Sequence, residues 1–567
     1  LDTYKGIPAS PGIAIGPAFC FQETDLRFAR DTIEAIEPEL QRFEEARTLA
    51  SEQIAGIKEK ALVEASEEEA AIFDAHALFL QDPALIDAIH AGIQGQTNAE
   101  AAVFDAVEAQ ANALEAMEDE YFSARAADVR DVGQRLLRIL LGVSEIDLSS
   151  LQKPSIILAR NLTPSDTVRL EKSLVLGFLT ALGGPTSHTA ILAKALDLPA
   201  VVGAGEAILG IQVDSTLAMD GSTGEVNANP DKETLVEFKG RAKTYQAESA
   251  AALAKAHEAA ITQDDITVEV VANVGNPEDT QQALERGAEG IGLLRTEFLY
   301  MERPTAPDEE EQLTAYNCIL DLMEQRPVVV RTLDVGGDKG IPYLDLGVEA
   351  NPFLGWRAIR MTLDQPEFFK IQLRALLRAS PGHDVRIMFP MVATLQELRG
   401  ARALLNEARK EVIAAGHPVA ETIQVGIMVE VPSVAVLADR FAREVDFFSI
   451  GTNDLTQYTM AAERTNEKVA YLGDACHPAV LRQIQRVIQA AHKEGIWVGL
   501  CGELAGDADA IPILLGLGLD EFSMAPASIP RAKEIIRRWR KADAQALLDI
   551  VLNLDTAEDV RSFIRKQ

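Results

Sequence analysis

Cysteine is scarce in this chain: there are four in 567 residues, Cys20, Cys318, Cys476 and Cys501, widely separated and with no CxxC pair. That spacing excludes a disulfide framework and a zinc site built on paired thiolates. No run of eighteen apolar residues occurs, so no membrane-spanning helix is expected. The start, Leu1-Asp2-Thr3-Tyr4-Lys5, has neither the basic nor the apolar region of a signal peptide, and the cytosol is the expected compartment. A leucine at position 1 fits a processed start or a segment of a longer polypeptide. Basic residues are outnumbered, 53 against 87 acidic ones, for a net charge of −34. Such a field disfavours nucleic acid and anionic membranes as partners, and any anionic substrate must be held by local arginines. Aromatic residues make up only 5%, yet 47% of the chain is hydrophobic, which describes an ordinary globular protein. At this length two to four domains are expected.

The pattern along the chain divides it into four zones. Residues 1–20 are punctuated by Gly and Pro and read as strand. Residues 21–145 are rich in Ala, Glu and Leu with helical period, and predict a bundle of amphipathic helices. In 146–228 short apolar runs such as Ser155-Ile156-Ile157-Leu158 alternate with helices, an α/β pattern that the N-terminal strand is expected to join. The bundle is then an insertion. Residues 229–261 read as a linking helix. Within 262–567 eight strand-like runs follow one another: Ile266–Gly275, Gly290–Phe298, Pro327–Val335, Val385–Val392, Gln424–Pro432, Val445–Leu455, Trp497–Leu504 and Asp520–Pro526. Most are separated by helix-length segments, which predicts a (β/α)8 barrel with its chemistry at the C-terminal ends of the strands.

Chemistry-bearing residues fall in two places. In Gly183-Gly184-Pro185-Thr186-Ser187-His188-Thr189-Ala190 a glycine-led turn delivers His188 to a helix start, with Ser187 as N-cap. Free amides and the helix dipole favour an incoming anion there, so a neutral imidazole could take a phosphoryl group. On its own the pattern equally fits a packed histidine beside a tight turn. The second place is the set of strand ends. Arg295 and Arg331 interrupt apolar runs and are expected to be buried, which is costly unless an anion pairs with them, and Arg357 and Arg464 could complete a cluster. The competing reading is structural pairing with Glu297 or Asp334. Glu430 and Asp454 end two runs and suit Mg²⁺, which takes one or two protein carboxylates. Cys501 ends another, where a thiol could exchange a proton with substrate carbon, whereas Cys318 reads as helix core.

Four segments resemble enzyme I of the bacterial phosphoenolpyruvate:sugar phosphotransferase system: the turn 183–189, Asp446–Tyr458, Asn351–Arg357 and Cys501–Gly506. The resemblance implies a multidomain α/β protein: a swivelling phosphohistidine α/β domain with an inserted helical bundle, followed by a (β/α)8 TIM-type barrel. It implies that phosphoenolpyruvate is bound by Arg295, Arg331, Arg464 and Asn453 with Arg357 nearby, and that Mg²⁺ is held on Glu430 and Asp454. His188 becomes phosphorylated, Cys501 protonates the enolate, and Thr167 hydrogen-bonds the histidine. It also implies a homodimer through the barrels and an HPr-type phosphocarrier docking on the insertion. Phe73–Asp82 is the candidate docking surface, although its apolar residues equally suit bundle core. Many relatives have a basic residue where Pro185 stands and an acidic pair in place of Pro83 and Ala84. Those departures put the carrier's identity in question and, with Leu1, raise the enzyme I portion of a fused multiphosphoryl transfer protein. Pyruvate-phosphate dikinase and phosphoenolpyruvate synthase share the histidine and barrel, but they need a nucleotide-binding domain, and no P-loop is present. A non-catalytic phosphoenolpyruvate sensor would not need His188, Glu430, Asp454 and Cys501 together, and a nitrogen-regulatory paralogue usually carries an extra sensory domain.

Overall fold

The computed structural model describes residues 2–21, 28–64, 76–77, 79–115, 120–142, 151–162, 170, 172–184, 187–301, 303, 305–336, 341, 343–344, 349–463 and 469–567. The chain divides into two compact units, Leu1–Tyr245 and Gln246–Gln567. Among the described residues no helix is long and apolar enough to cross a membrane.

An eight-stranded sheet carries the first unit. Its strands are β1 (Asp2–Lys5), β2 (Ile7–Ser10), β3 (Ile13–Phe21), β4 (Ser155–Ala159), β5 (Val175–Thr180), β6 (Ala200–Val202), β7 (Thr216–Asp220) and β8 (Glu225–Ala228). Their spatial order is β1-β8-β7-β3-β4-β5-β6-β2. β3 and β4 are parallel neighbours, with Ala18 opposite Ile156, so the helical segment is an insertion between adjacent strands. That insertion holds helices Ile36–Glu64, Pro83–Gln94, Ala99–Glu115 and Glu120–Leu141. Their apolar stripes meet in a core of their own that includes Phe43, Leu85, Ile89, Val103, Val132 and Leu136. Gly133 lets the last two helices approach: a Cβ there would fall 2.6 Å from Val107 Cγ1.

The linking helix runs over Lys232–Ala254 and stops short of its expected end. Residues Ala260–Ile261 form a short strand, β9, antiparallel to β10 (Thr267–Val274). The reason is Lys533, fully buried, whose ammonium donates to the carbonyls of Ala256 (3.0 Å) and Gly287 (2.8 Å) and so fastens this segment to the second unit.

Eight parallel strands build the second unit: β10, β11 (Ile291–Leu294), β12 (Val328–Arg331), β13 (Val385–Phe389), β14 (Gln424–Val429), β15 (Phe447–Ile450), β16 (Trp497–Leu500) and β17 (Glu521–Met524). Each pairs with the next, β17 pairs with β10, and β10 pairs with β11, so the barrel is closed. Each of the eight expected runs contains one strand. Several of the intervening helices start at side-chain caps, Asn276 for Pro277–Glu285, and capping boxes Asp308/Glu311 and Thr394/Glu397 for Glu309–Met323 and Leu395–Ala414. Along β10, Val268, Val270, Ala272 and Val274 join the large core shared with the helices. Leu293, Val329, Met388, Met428, Phe447 and Cys501 form a separate interior cluster. Cys318 departs from expectation: it lies on the helix Glu309–Met323 but is exposed, because the buried stripe there is Gln312, Tyr316, Ile319, Leu320 and Met323.

The N-terminal ends of the barrel strands carry charge. Phe447 stacks on Trp497 at 4.5 Å, and the Arg386 guanidinium lies 5.1 Å from the Trp497 ring centre. Glu521 and Glu269 are register partners on adjacent strands. Glu521 is only 1% exposed, and neither carboxylate oxygen has a hydrogen-bond partner among the described residues. Burial, with Glu269 adding to it, pushes the Glu521 carboxyl up to about 8.

Candidate active site

After β5 the chain turns through Gly183, at φ 102, and Ser187 caps the helix His188–Ala195. Ser187 Oγ accepts from the Ala190 amide at 3.4 Å. His188 is the first residue of that helix, where backbone amides lack intrahelical acceptors. Ala190 and Ala193 are buried and hold the helix on the sheet, with Leu192 and Leu196 partly buried beside them. Thr167 and Arg464, and Pro185 in the turn before the histidine, lie outside the described residues.

At the C-terminal ends of the barrel strands, ionisable groups converge. Arg331, the last residue of β12, is 7% exposed; it pairs with Glu297 and lies 3.1 Å from Asp334. Arg357 is 2% exposed; its guanidinium lies 3.0 Å from Asp334 and 3.8 Å from Asp454 and donates to the Tyr458 hydroxyl at 3.3 Å. Gly336, at φ 103, admits Arg357: a Cβ there would meet Arg357 Cβ at 2.5 Å. Burial disfavours charge on both arginines, but the surrounding carboxylates outweigh it and hold the guanidiniums above their ordinary range. The structural pairing with Glu297 and Asp334 is therefore present, and Arg357 also faces Asp454.

Glu430 follows the last residue of β14, is 1% exposed, and accepts from the Met391 amide at 2.5 Å. Burial, then Asp454 and Asp334, push its carboxyl up to about 8. Four buried carboxyl groups (Glu297, Asp334, Glu430 and Asp454) face two buried guanidiniums, and the crowding of negative charge is what keeps a proton on Glu430. Asp454 Oδ1 is buried with no hydrogen-bond partner among the described residues. This donor set fits a divalent cation. No group of three His, Cys, Asp or Glu side chains placed to hold a metal occurs among the described residues. A pair suits an ion that draws most of its shell from water and ligand oxygens.

Cys501 follows β16 and is 5% exposed; its amide donates to the Ile450 carbonyl at 3.0 Å, and burial pushes its thiol up to about 11. Asn453 Oδ1 accepts from the Glu503 amide at 3.3 Å, tying the loop after Cys501 to the loop after β15.

Two expectations need correcting, and a third is tested only in part. Arg295 is exposed, because β11 ends at Leu294 and its side chain leaves the barrel wall. The run Val445–Leu455 is strand only over Phe447–Ile450, and Asn453 and Asp454 occupy the first turn of the helix Thr452–Met460. Within Phe73–Asp82, residues 73–75 and 78 lie outside the described residues. Of the rest, His76 and Leu80 are each 1% exposed and Ala77 and Phe79 are partly buried against the bundle core, while Gln81 is exposed, so the segment carries core side chains beside an exposed polar one. Asn273 was not anticipated: on β10, it donates to the Cys501 carbonyl at 2.9 Å and accepts from Ser523 Oγ at 2.6 Å. Its signal was a polar residue near the end of the first barrel run.

Comparison with known proteins adds the following. The family described as PEP-utilising enzyme, PEP-binding domain, matches residues 249–541. The descriptions PEP-utilising enzyme, N-terminal, and PEP-utilising enzyme, mobile domain, match 5–125 and 151–224. The phosphoenolpyruvate-protein phosphotransferase of Geobacillus stearothermophilus is 49% identical over 100% of this chain and 98% of its own length. That of Bacillus subtilis (strain 168) is 48% identical over the full length of both, and that of Staphylococcus carnosus is 47% identical over 99% of this chain and 98% of its own.

Proposed function

We infer the activity from the premise that this chain belongs to the phosphoenolpyruvate-protein phosphotransferase family. It moves the phosphoryl group of phosphoenolpyruvate onto His188 and passes it to a histidine of an HPr-type phosphocarrier, releasing pyruvate and driving sugar uptake. The observation that carries this reading is the barrel mouth itself, where two buried guanidiniums, two cation-ready carboxylates and a protonated thiol meet.

Arg331 and Arg357, with Arg295 and Arg464, hold the phosphate and carboxylate of the substrate, and Asn453 adds a side-chain amide. Glu430 and Asp454 would hold Mg²⁺; when bound, it neutralises charge on the phosphoryl oxygens. His188 belongs to the first unit and the arginines to the second; in this reading the first unit delivers the histidine to the substrate and then to the carrier. A neutral imidazole nitrogen attacks phosphorus, the P–N bond forms, and the P–O bond to the enol oxygen breaks. The leaving enolate takes the Cys501 proton at its terminal carbon, giving pyruvate, and the thiolate is reprotonated from solvent. A thiol pushed up to about 11 keeps that proton at neutral pH, as a proton donor must. Positioning and charge neutralisation supply the rate. Thr167 hydrogen-bonds the histidine, the helical insertion receives the carrier, and the protein works in the cytosol as a homodimer through its barrels.

The test is incubation with labelled phosphoenolpyruvate and Mg²⁺, with and without HPr-type carriers, and mapping of the acid-labile label. Label on His188, discharged by carrier, with matching pyruvate release, is the expected result. Pyruvate release without label on His188 would refute the reading.

A further inference from the structure

Behind the arginine-bearing turns lies a buried polar chain that the proposed chemistry does not use. Gln372, 1% exposed, projects from the helix Pro366–Ala379. Its Oε1 accepts from the Leu333 amide at 3.0 Å, while its Nε2 donates to Thr296 Oγ1 at 3.1 Å and to the Tyr316 hydroxyl at 3.2 Å. Thr296 Oγ1 in turn donates to the Arg331 carbonyl at 2.9 Å. Tyr316 donates to Gln312 Oε1 at 3.1 Å, which also accepts from Tyr300 at 2.9 Å. Only a carbonyl can face the Leu333 amide, so the orientation of the Gln372 amide is fixed and every later bond in the chain inherits its direction.

Thr296 separates Arg295 from Glu297, and Leu333 lies between Arg331 and Asp334. One amide therefore grips both turns. We propose that Gln372 is a positioning residue that sets the turn bearing Arg295 against the turn bearing Arg331, and thereby the spacing of the guanidiniums that take the anionic groups of phosphoenolpyruvate. The inference rests on the function proposed above. Gln372 touches neither substrate nor reacting atoms. A helix glutamine with every polar atom satisfied at two catalytic-face loops is an expensive arrangement for mere packing, since an apolar residue there would avoid the cost of burying an amide.

The test uses the full-length protein with Mg²⁺, measuring pyruvate release against phosphoenolpyruvate concentration, and a thermal melt for each variant. Gln372→Glu keeps the acceptor for Leu333 and loses both donors; Gln372→Met removes all three bonds at similar volume. Thr296→Val, a smaller change, removes the bond to the Arg331 carbonyl and the bond from Gln372 Nε2 but leaves the Leu333 bond in place, and guards against misfolding of the first two. KM is expected to rise about tenfold in each with kcat changed less, because the arginines hold ground and transition states alike. Tyr316→Phe, in the same chain but touching neither turn, is expected to lower Tm while KM stays within about twofold. Variants that lower Tm and leave KM unchanged, beside an active wild type, would overturn the positioning role. Failure of the wild type itself to release pyruvate would overturn the functional reading and this inference with it.

Discussion

Replacing Glu521 by Gln should stabilise the barrel, and the gain should grow with pH. The carboxyl is buried at the N-terminal end of the barrel with no hydrogen-bond partner among the described residues, and it is pushed from 4.5 up to about 8. Its folded value lies above its unfolded value, so the folded state keeps a proton that the unfolded state gives up. Its contribution to stability is therefore full below about pH 4.5 and is lost as pH rises towards 8. At 1.36 kcal/mol per unit, the loss reaches roughly 4 kcal/mol near pH 8 and stays under about 1 kcal/mol at pH 5. Glutamine has nearly the same shape and no proton to lose, so it escapes this penalty. For a unit of about 320 residues, the extra 3 kcal/mol or so gained by E521Q between pH 5 and 8 corresponds to roughly 5 °C in Tm. Calorimetry on wild type and variant at pH 5, 6.5 and 8 would follow the barrel transition. A difference in Tm that is the same at all three pH values would refute the reasoning.

Other expectations concern the mouth and the histidine. His188→Ala should abolish labelling by phosphoenolpyruvate while leaving its calorimetric binding within about threefold, because the arginines belong to the other unit; loss of binding would make the histidine structural. Cys501→Ala should slow pyruvate release about 100-fold with KM changed little, within the range of general acid catalysis, and unchanged turnover would remove the thiol from the mechanism. Asp454→Asn removes one carboxylate of the candidate Mg²⁺ pair, so the Mg²⁺ needed for half-maximal turnover should rise at least about tenfold. An unchanged Mg²⁺ requirement would remove Asp454 from the metal site.

Much of this was legible in the sequence because it is local. Ser187 and the glycine turn announce the helix that begins at His188, and eight apolar runs announce eight strands. What escaped depends on partners far away in the chain. Arg295 reads like Arg331, and only where β11 ends decides that one is exposed and the other buried. Glu521 looks like a surface glutamate until the register sets it beside Glu269 inside a closed barrel. Gln372 lies in an ordinary amphipathic helix, and nothing nearby says that its amide reaches Thr296 and Leu333. Asp454 belongs to a helix because the chain turns after Ile450, where the apolar residues also stop, whereas the expected run extends across Gly451-Thr452-Asn453-Asp454 to Leu455.

The pairing of β3 with β4 and of β1 with β8 bears on synthesis. The bundle is one very long crossover between neighbouring parallel strands, and Asp2 must wait for Ala228 to complete the sheet's edge. During translation the inserted helices, whose contacts are mostly local, can pack as soon as they leave the ribosome. The sheet that presents His188 cannot close until more than two hundred residues have emerged. The nascent chain thus holds a finished helical module on three unpaired strands, and those strands are what a chaperone would have to shield.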